Sequence, residues 1–125
     1  MTSPFVVTRD LAKHYDTPTG PLEVLRGVEL EIHRGDFVAI VGPSGAGKTT
    51  LLNMITAVDQ PTGGDVVVGE QSVTQTPQRQ LTKWRAQNIG IVFQFFQLLP
   101  TISVADNIVF PMDYANVHQP SQRRD

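Results

Sequence analysis

The sequence predicts an α/β fold that carries an antiparallel β portion at its N-terminus. Three observations lead there. Gly27 to His33 alternates, with Val28, Leu30 and Ile32 on one face and Glu29, Glu31 and His33 on the other, as in a half-exposed antiparallel strand. Phe37-Val-Ala-Ile-Val41 is apolar at every position, the pattern of a strand buried on both faces of a parallel sheet. A glycine-rich loop and a helical repeat follow directly, so strand, loop and helix succeed one another as in a βα unit.

The remaining elements read in order along the chain. Phe5 to Val7 starts a short strand, and the Pro and Gly residues of Asp16-Thr-Pro-Thr-Gly-Pro21 favour a hairpin-like loop. Arg34-Gly-Asp36 is a turn before the buried strand. From Lys48, the residues Leu51, Leu52, Ile55 and Val58 recur at helical spacing, and the helix is expected to end near Asp59-Gln-Pro-Thr-Gly-Gly64. Asp65 to Val73 suggests another short strand, or a hairpin around Gly69. Thr76-Pro77 is a helix start, with Thr as N-cap, and Leu81, Trp84 and Arg85 would share one helix face. Ile89-Gly-Ile-Val-Phe93 reads as a second buried strand ending at Gln94. Ser103 and Asp106 could form a capping-box variant for a further helix, which Pro111 should kink or end. The tail from His118 to Asp125 is polar.

Composition excludes several classes. The 125 residues suit one modest domain, and 40% apolar with 18% charged residues is globular composition. A net charge of −2 gives no bulk attraction to nucleic acid or anionic lipid. With no cysteine there are no disulfides or thiolate metal sites. His14, His33 and His118 show no ligand spacing. The first ten residues lack the basic and apolar regions of a secretory signal. No apolar run approaches the roughly 20 residues needed to span a bilayer, so any membrane role requires a partner.

The chemistry lies in Gly42-Pro-Ser-Gly-Ala-Gly-Lys48-Thr49, a full match to G-x-x-x-x-G-K-[ST] in the context its mechanism needs. Gly42, Gly45 and Gly47 let the backbone wrap closely around a phosphate. Backbone N–H groups of the loop and helix start then face the anion, aided by the helix dipole. Lys48 adds a full positive charge over β- and γ-phosphates, and Thr49 offers a hydroxyl to Mg²⁺. The bland alternative is a glycine-rich turn before a helix with a surface lysine.

The stretch Gly35-Asp-Phe-Val-Ala-Ile-Val-Gly-Pro-Ser-Gly-Ala-Gly-Lys-Thr-Thr-Leu-Leu-Asn-Met54 resembles the Walker A segment of ABC transporter ATPases. Asp59-Gln-Pro-Thr-Gly-Gly-Asp65 is similar to the turn after that family's Walker helix. Ile89-Gly-Ile-Val-Phe-Gln-Phe-Phe-Gln-Leu-Leu-Pro100 resembles its Q-loop, and Leu25-Arg-Gly-Val-Glu-Leu-Glu-Ile32 its strand before Walker A. The wording around Gln94, with Ser-Val-Ala-Asp-Asn-Ile after it, is similar to the lipoprotein-release and macrolide or antimicrobial-peptide export subfamily. The resemblance implies a P-loop NTPase core with an N-terminal antiparallel β subdomain.

The resemblance also implies roles. Tyr15 stands where the family stacks an aromatic on adenine, although an ordinary core or surface tyrosine would look the same. Gly42, Pro43, Ser44, Gly45, Ala46, Gly47, Lys48, Thr49 and Thr50 would bind ATP phosphates, with Ser44 and Thr50 adding hydroxyls. Ala46 replaces a serine common in the family, a mild change where the contact is mainly backbone. Thr49 and Gln94 would hold Mg²⁺, and Gln94 would also contact the attacking water and report to a membrane-spanning permease subunit. Otherwise Gln94 merely caps a turn. Trp84 and Phe93, Phe95 and Phe96 are expected to pack a core or a subunit interface.

Residues 1–125 read as the N-terminal portion of a single ABC nucleotide-binding domain, truncated before its helical subdomain is complete. The signature Leu-Ser-Gly-Gly-Gln, an apolar strand ending in Asp-Glu and a switch histidine do not occur in it. The catalytic set is therefore incomplete, and the chain alone is expected to be silent or nearly so. An open edge at Phe37 to Val41 suggests low solubility or partial order. The leading expectation is an ATP-binding subunit of an ABC exporter that dimerises and works at the cytoplasmic face of the inner membrane. The alternative is a remnant that binds nucleotide weakly or pairs with an intact ATPase; a DNA-repair or ribosomal ABC protein fits the Gln94 wording less well.

Overall fold

The computed structural model describes residues 3–95 and 97–115. Phe96 and the polar tail at 118–125, with His118, Arg123 and Arg124, lie outside the described residues. The chain divides into two compact units, Met1–Pro77 and Gln78–Asp125.

The first unit is a four-stranded antiparallel sheet with one helix. Strand β1 (Val6–Thr17) turns through Pro18 and Thr19 into β2 (Gly20–Ile32), as the Asp16 to Pro21 composition anticipated. Helix α1 (Lys48–Ile55) follows, then β3 (Gly63–Val68) and the two-residue β4 (Gln71–Ser72). The order across the sheet is β2-β1-β3-β4. The β3–β4 hairpin turns at Gly69, whose φ is 63° and whose N–H donates to the Phe5 carbonyl.

Strand β1 is far longer than the Phe5–Val7 start read from sequence. Val6 and Thr8 face inward, then Leu11 and Lys13, so buried parity switches from even to odd between them. Register shifts between Thr8 and Leu11 account for this, with Asp10 at φ 47°. An extra residue in a strand swaps its faces and hides the period of two from inspection. Gly64 packs against this irregularity at φ 78°, where a Cβ would run into the Asp10 and Arg9 backbone.

The core of this unit gathers Val6, Leu11 and Leu25 from the hairpin, Val66, Val68 and Val73 from the β3–β4 region, and Leu51, Met54 and Ala57 from α1 and its exit. The expected apolar face of α1 needs correction. Leu52 and Val58 are exposed, Met54 is buried, and the helix ends at Ile55 rather than near Asp59.

The two runs expected to be buried parallel strands are not strands. Phe37 to Val41 and Ile89 to Phe93 are irregular, and Phe37, Val41 and Val92 are almost wholly exposed. An apolar strand of this kind exists only between hydrogen-bonded neighbours that cover its edges. Among the described residues the antiparallel sheet is the only one, and it offers neither run a place.

The second unit holds α2 (Gln78–Asn88) and α3 (Val104–Ala115). Leu81 is buried while Trp84 and Arg85 are half-buried, the shared face that their spacing anticipated. The Thr76 hydroxyl donates to the Ser72 carbonyl and accepts from the Gln71 side-chain amide at 2.6 Å. Ser103 caps α3 as expected, accepting the Asp106 N–H at 3.0 Å and donating to its carboxylate at 2.8 Å. Pro111 does not end α3, which runs on to Ala115. Phe93 and Phe95 are exposed, so within the described residues they form no core.

Candidate functional site

Gly42 to Gly47 forms an exposed loop leading straight into α1. Its tight turn is closed by the Ala46 N–H donating to the Pro43 carbonyl at 3.1 Å. Gly45 has φ 81°, and Gly47, the N-cap of α1, has φ 97°. Such angles are strained for any residue with a Cβ. Gly47 lies against β2, where a Cβ would approach Val24 and Leu25 to 3.2 Å, so the loop is seated on the sheet. The first helical bond runs from the Leu51 N–H to the Gly47 carbonyl at 2.9 Å.

The helix start has the features that would suit an anion. Its first N–H groups have no intrahelical acceptor, no side chain caps them, and no acidic residue sits in the first turn. The partial positive charge of the dipole is therefore unopposed. Lys48 curls back over the loop, its ammonium donating to the Gly42 and Pro43 carbonyls at 2.6 and 2.8 Å. These are exposed contacts, of the kind that phosphate oxygens can replace with stronger charge-assisted bonds. Thr49 is exposed beside it. Among the described residues no cluster of His, Cys, Asp or Glu could hold a metal ion by itself. A hydroxyl next to a phosphate site suits a magnesium ion that takes its other oxygens from phosphate and water.

Tyr15, near the end of β1, is brought to the same helix. Its hydroxyl donates to Asp59 Oδ2 at 3.0 Å, at the turn that follows α1. Partial burial of this hydroxyl, then the bond to Asp59 and its charge, push the phenol above its ordinary value; Thr50 pulls the other way. Burial alone would raise the Asp59 carboxyl, but the Gln60 N–H, Tyr15 and Lys13 together hold it below the usual carboxylate range. Gln94 belongs to the second unit and stands exposed at a bend after Phe93.

Sequence reading missed Lys13 and gave Asp59 no role beyond the turn that contains it. Lys13 is buried, and its ammonium contacts both carboxylate oxygens of Asp59 at 3.3 Å and the Gln60 carbonyl at 2.6 Å. The available signal was a lysine two residues from a buried Leu11 in a strand, where a solvated lysine would not be placed.

Loop, lysine and helix together define a P-loop protein. The ABC transporter family model matches residues 25–125, and the chain belongs to that family. It is 46% identical over 98 residues to the lipoprotein-releasing system ATP-binding protein LolD of Bacteroides thetaiotaomicron, covering 78% of this chain and 45% of LolD. An uncharacterized ABC transporter ATP-binding protein of Thermotoga maritima is 40% identical, over 92% of this chain and 49% of its own length. A dimeric ATP-binding cassette solved in a post-hydrolysis state with ADP and Pi superposes with a TM-score of 0.88 at 35% identity, over 95% of this chain and 52% of that one. The chain thus spans about half the length of the relatives it matches. No helix of the described residues is long and apolar enough to cross a membrane.

Proposed function

We propose that this chain supplies the ATP-binding half of an ABC transporter nucleotide-binding domain, of the release or export type that the LolD likeness favours. The observation that carries this is the uncapped, acid-free start of α1 beneath an exposed glycine loop, with Lys48 held over it by replaceable contacts. In this reading Gly42, Pro43, Ser44, Gly45, Ala46 and Gly47 wrap the phosphates, mainly through backbone N–H groups. Lys48 neutralises β- and γ-oxygens, and Thr49 holds Mg²⁺, which would supply charge neutralisation between the phosphates. Thr50, one residue further along α1, adds a hydroxyl to the phosphates, and the Tyr15 ring stacks on adenine. Gln94 completes the magnesium and water contacts and reports to a permease. By the same reading the domain pairs with a second copy at the cytoplasmic membrane face, without nucleic acid.

Isothermal titration with MgATP tests this. Saturable binding is expected, weakened at least about tenfold by Lys48→Ala, which removes a charge-assisted phosphate contact. Because the Lys48 contacts are exposed, the variant's unfolding midpoint should stay near that of the parent. Binding that ignores Lys48→Ala would sink the reading.

A further inference from the structure

We propose that Asp59 and Lys13 form a clamp that fixes the Tyr15 ring, and so set how strongly the site prefers an adenine nucleotide to bare polyphosphate. This rests on the reading of Tyr15 as the adenine platform. Asp59 and Lys13 act through Tyr15 and are positioning residues.

Packing covers Tyr15 only in part, since 38% of the residue is exposed at the end of β1, so specific contacts are needed to fix its ring. A partly exposed tyrosine has about three χ1 wells available, and a stacking platform requires that the ring be held in one of them. Here the hydroxyl is tied to Asp59 Oδ2 at 3.0 Å. The Lys13 ammonium lies over the ring, 4.9 Å from its centroid. With one face taken by Lys13, the opposite face is left for the base.

The clamp is itself anchored. Asp59 Oδ1 accepts the Gln60 N–H at 2.8 Å, and Lys13 contacts both carboxylate oxygens at 3.3 Å, which fixes the plane of the carboxylate. The Gln60 carbonyl takes the same ammonium at 2.6 Å, satisfying a lysine that is only 8% exposed. On either side of Lys13 the backbone is stitched to the same turn. The Thr62 N–H and hydroxyl donate to the Ala12 carbonyl at 3.0 and 3.1 Å, and the His14 N–H donates to the Thr62 hydroxyl at 3.0 Å. That turn leaves the end of α1, whose start is the phosphate loop. The clamp therefore ties the distance between ring and phosphate site to one rigid helix of 8 residues.

Releasing the hydroxyl should lower the fraction of competent rings to about one third, and the loosened turn adds to this. Adenine-nucleotide affinity should then fall about three- to tenfold, while a ligand that touches only the loop is unaffected. A merely structural role would weaken both ligands alike.

Titrations of the chain with MgATP and with magnesium tripolyphosphate separate these cases. Tyr15→Phe keeps the ring, deletes the hydroxyl and buries nothing new, so folding is not at risk. It and Asp59→Ala are each expected to weaken ATP about three- to tenfold and to leave tripolyphosphate within about twofold. The double variant should be no worse than Asp59→Ala alone, because that substitution already breaks the bond that Tyr15→Phe removes. If Tyr15→Phe binds both ligands as the parent does, the clamp is refuted. Tyr15→Ala distinguishes the underlying reading. Should it shift the ATP-to-tripolyphosphate ratio where Tyr15→Phe does not, only the clamp fails; should it leave the ratio unchanged, the adenine platform fails too.

Discussion

Gly45 and Gly47 lie two residues apart in the same loop, both at positive φ, yet the structure assigns them different debts to the fold. An L-residue in the left-handed region costs roughly 1–2 kcal/mol, and alanine at either position incurs this. At Gly45 that is all, since a Cβ would meet nothing within 4 Å. At Gly47 the methyl would also stand 3.2 Å from Leu25 Cδ2, Val24 Cγ1 and the Val24 carbonyl oxygen. Crowding of a packed contact adds about 1–3 kcal/mol. Gly45→Ala should therefore lose about 1–2 kcal/mol and Gly47→Ala about 2–5 kcal/mol. Against a total stability of about 5–15 kcal/mol for a small domain, the second is severe. Urea unfolding followed by far-ultraviolet circular dichroism measures both, with Gly42→Ala as a third point, where φ is not positive and the methyl would meet Ala46 Cβ at 3.3 Å. The Gly45→Ala midpoint is expected above that of Gly47→Ala, while Gly42→Ala reads crowding without a positive φ. A Gly45→Ala midpoint at or below that of Gly47→Ala would refute the view that the loop is seated on β2.

Two further outcomes follow from contacts elsewhere. Asn107 donates to the Leu99 and Ser103 carbonyls at 3.1 and 2.9 Å and accepts the Leu99 N–H at 2.8 Å; Asn107→Ala should cut protection of the Leu99 amide from hydrogen exchange about tenfold, near 1.4 kcal/mol. The Tyr15–Asp59 bond should also have two pH limbs. The Asp59 carboxyl is held low, so its contribution is present above the ordinary carboxylate range and is lost as pH falls through its lowered value. The Tyr15 phenol is held high, so its contribution is present below the ordinary phenol value and is lost as pH rises through the raised one. The stability difference between the parent and Tyr15→Phe should be flat between these limits and shrink at both ends; a difference independent of pH would argue that the bond does not form.

How much of the fold the sequence discloses depends on where each element gets its support. Val28, Leu30 and Ile32 alternate with Glu29 and Glu31 because one face of β2 meets the unit's own core and the other meets water, so local pattern and tertiary role agree. The turn at Pro18 and Thr19 and the Ser103–Asp106 cap are legible for the same reason: their chemistry is confined to a few consecutive residues. Phe37 to Val41 is different. Its uniform apolarity states what a strand there would need, a neighbour on each edge and cover on each face, and not that the described residues provide it. The run reads correctly as a demand and wrongly as an observed strand. Strand β1 fails in the opposite sense, since its partners are present and the irregularity after Thr8 scrambles the pattern that would announce them.

The candidate site divides along the same line. Gly42 to Thr49 is legible because the proposed grip on a phosphate is made by backbone, whose needs are written into consecutive residues: glycines where φ is positive, a lysine and a hydroxyl at the first turn. The Tyr15 clamp is written in residues 44 and 46 positions apart, each of ordinary type, and its logic depends on a fold that brings the end of β1 to the turn after α1. A buried lysine is the one oddity that betrays it, because a charge that deep requires a partner and the partner must then be ordered. That requirement places Asp59, and once Asp59 is placed its second oxygen has one remaining donor within reach, the hydroxyl of Tyr15. In the proposed reading the burial of Lys13 sets the adenine side of the site and the loop sets the phosphate side; the preference for ATP over bare polyphosphate among relatives should then track residues 13 and 59 rather than residues 42–49.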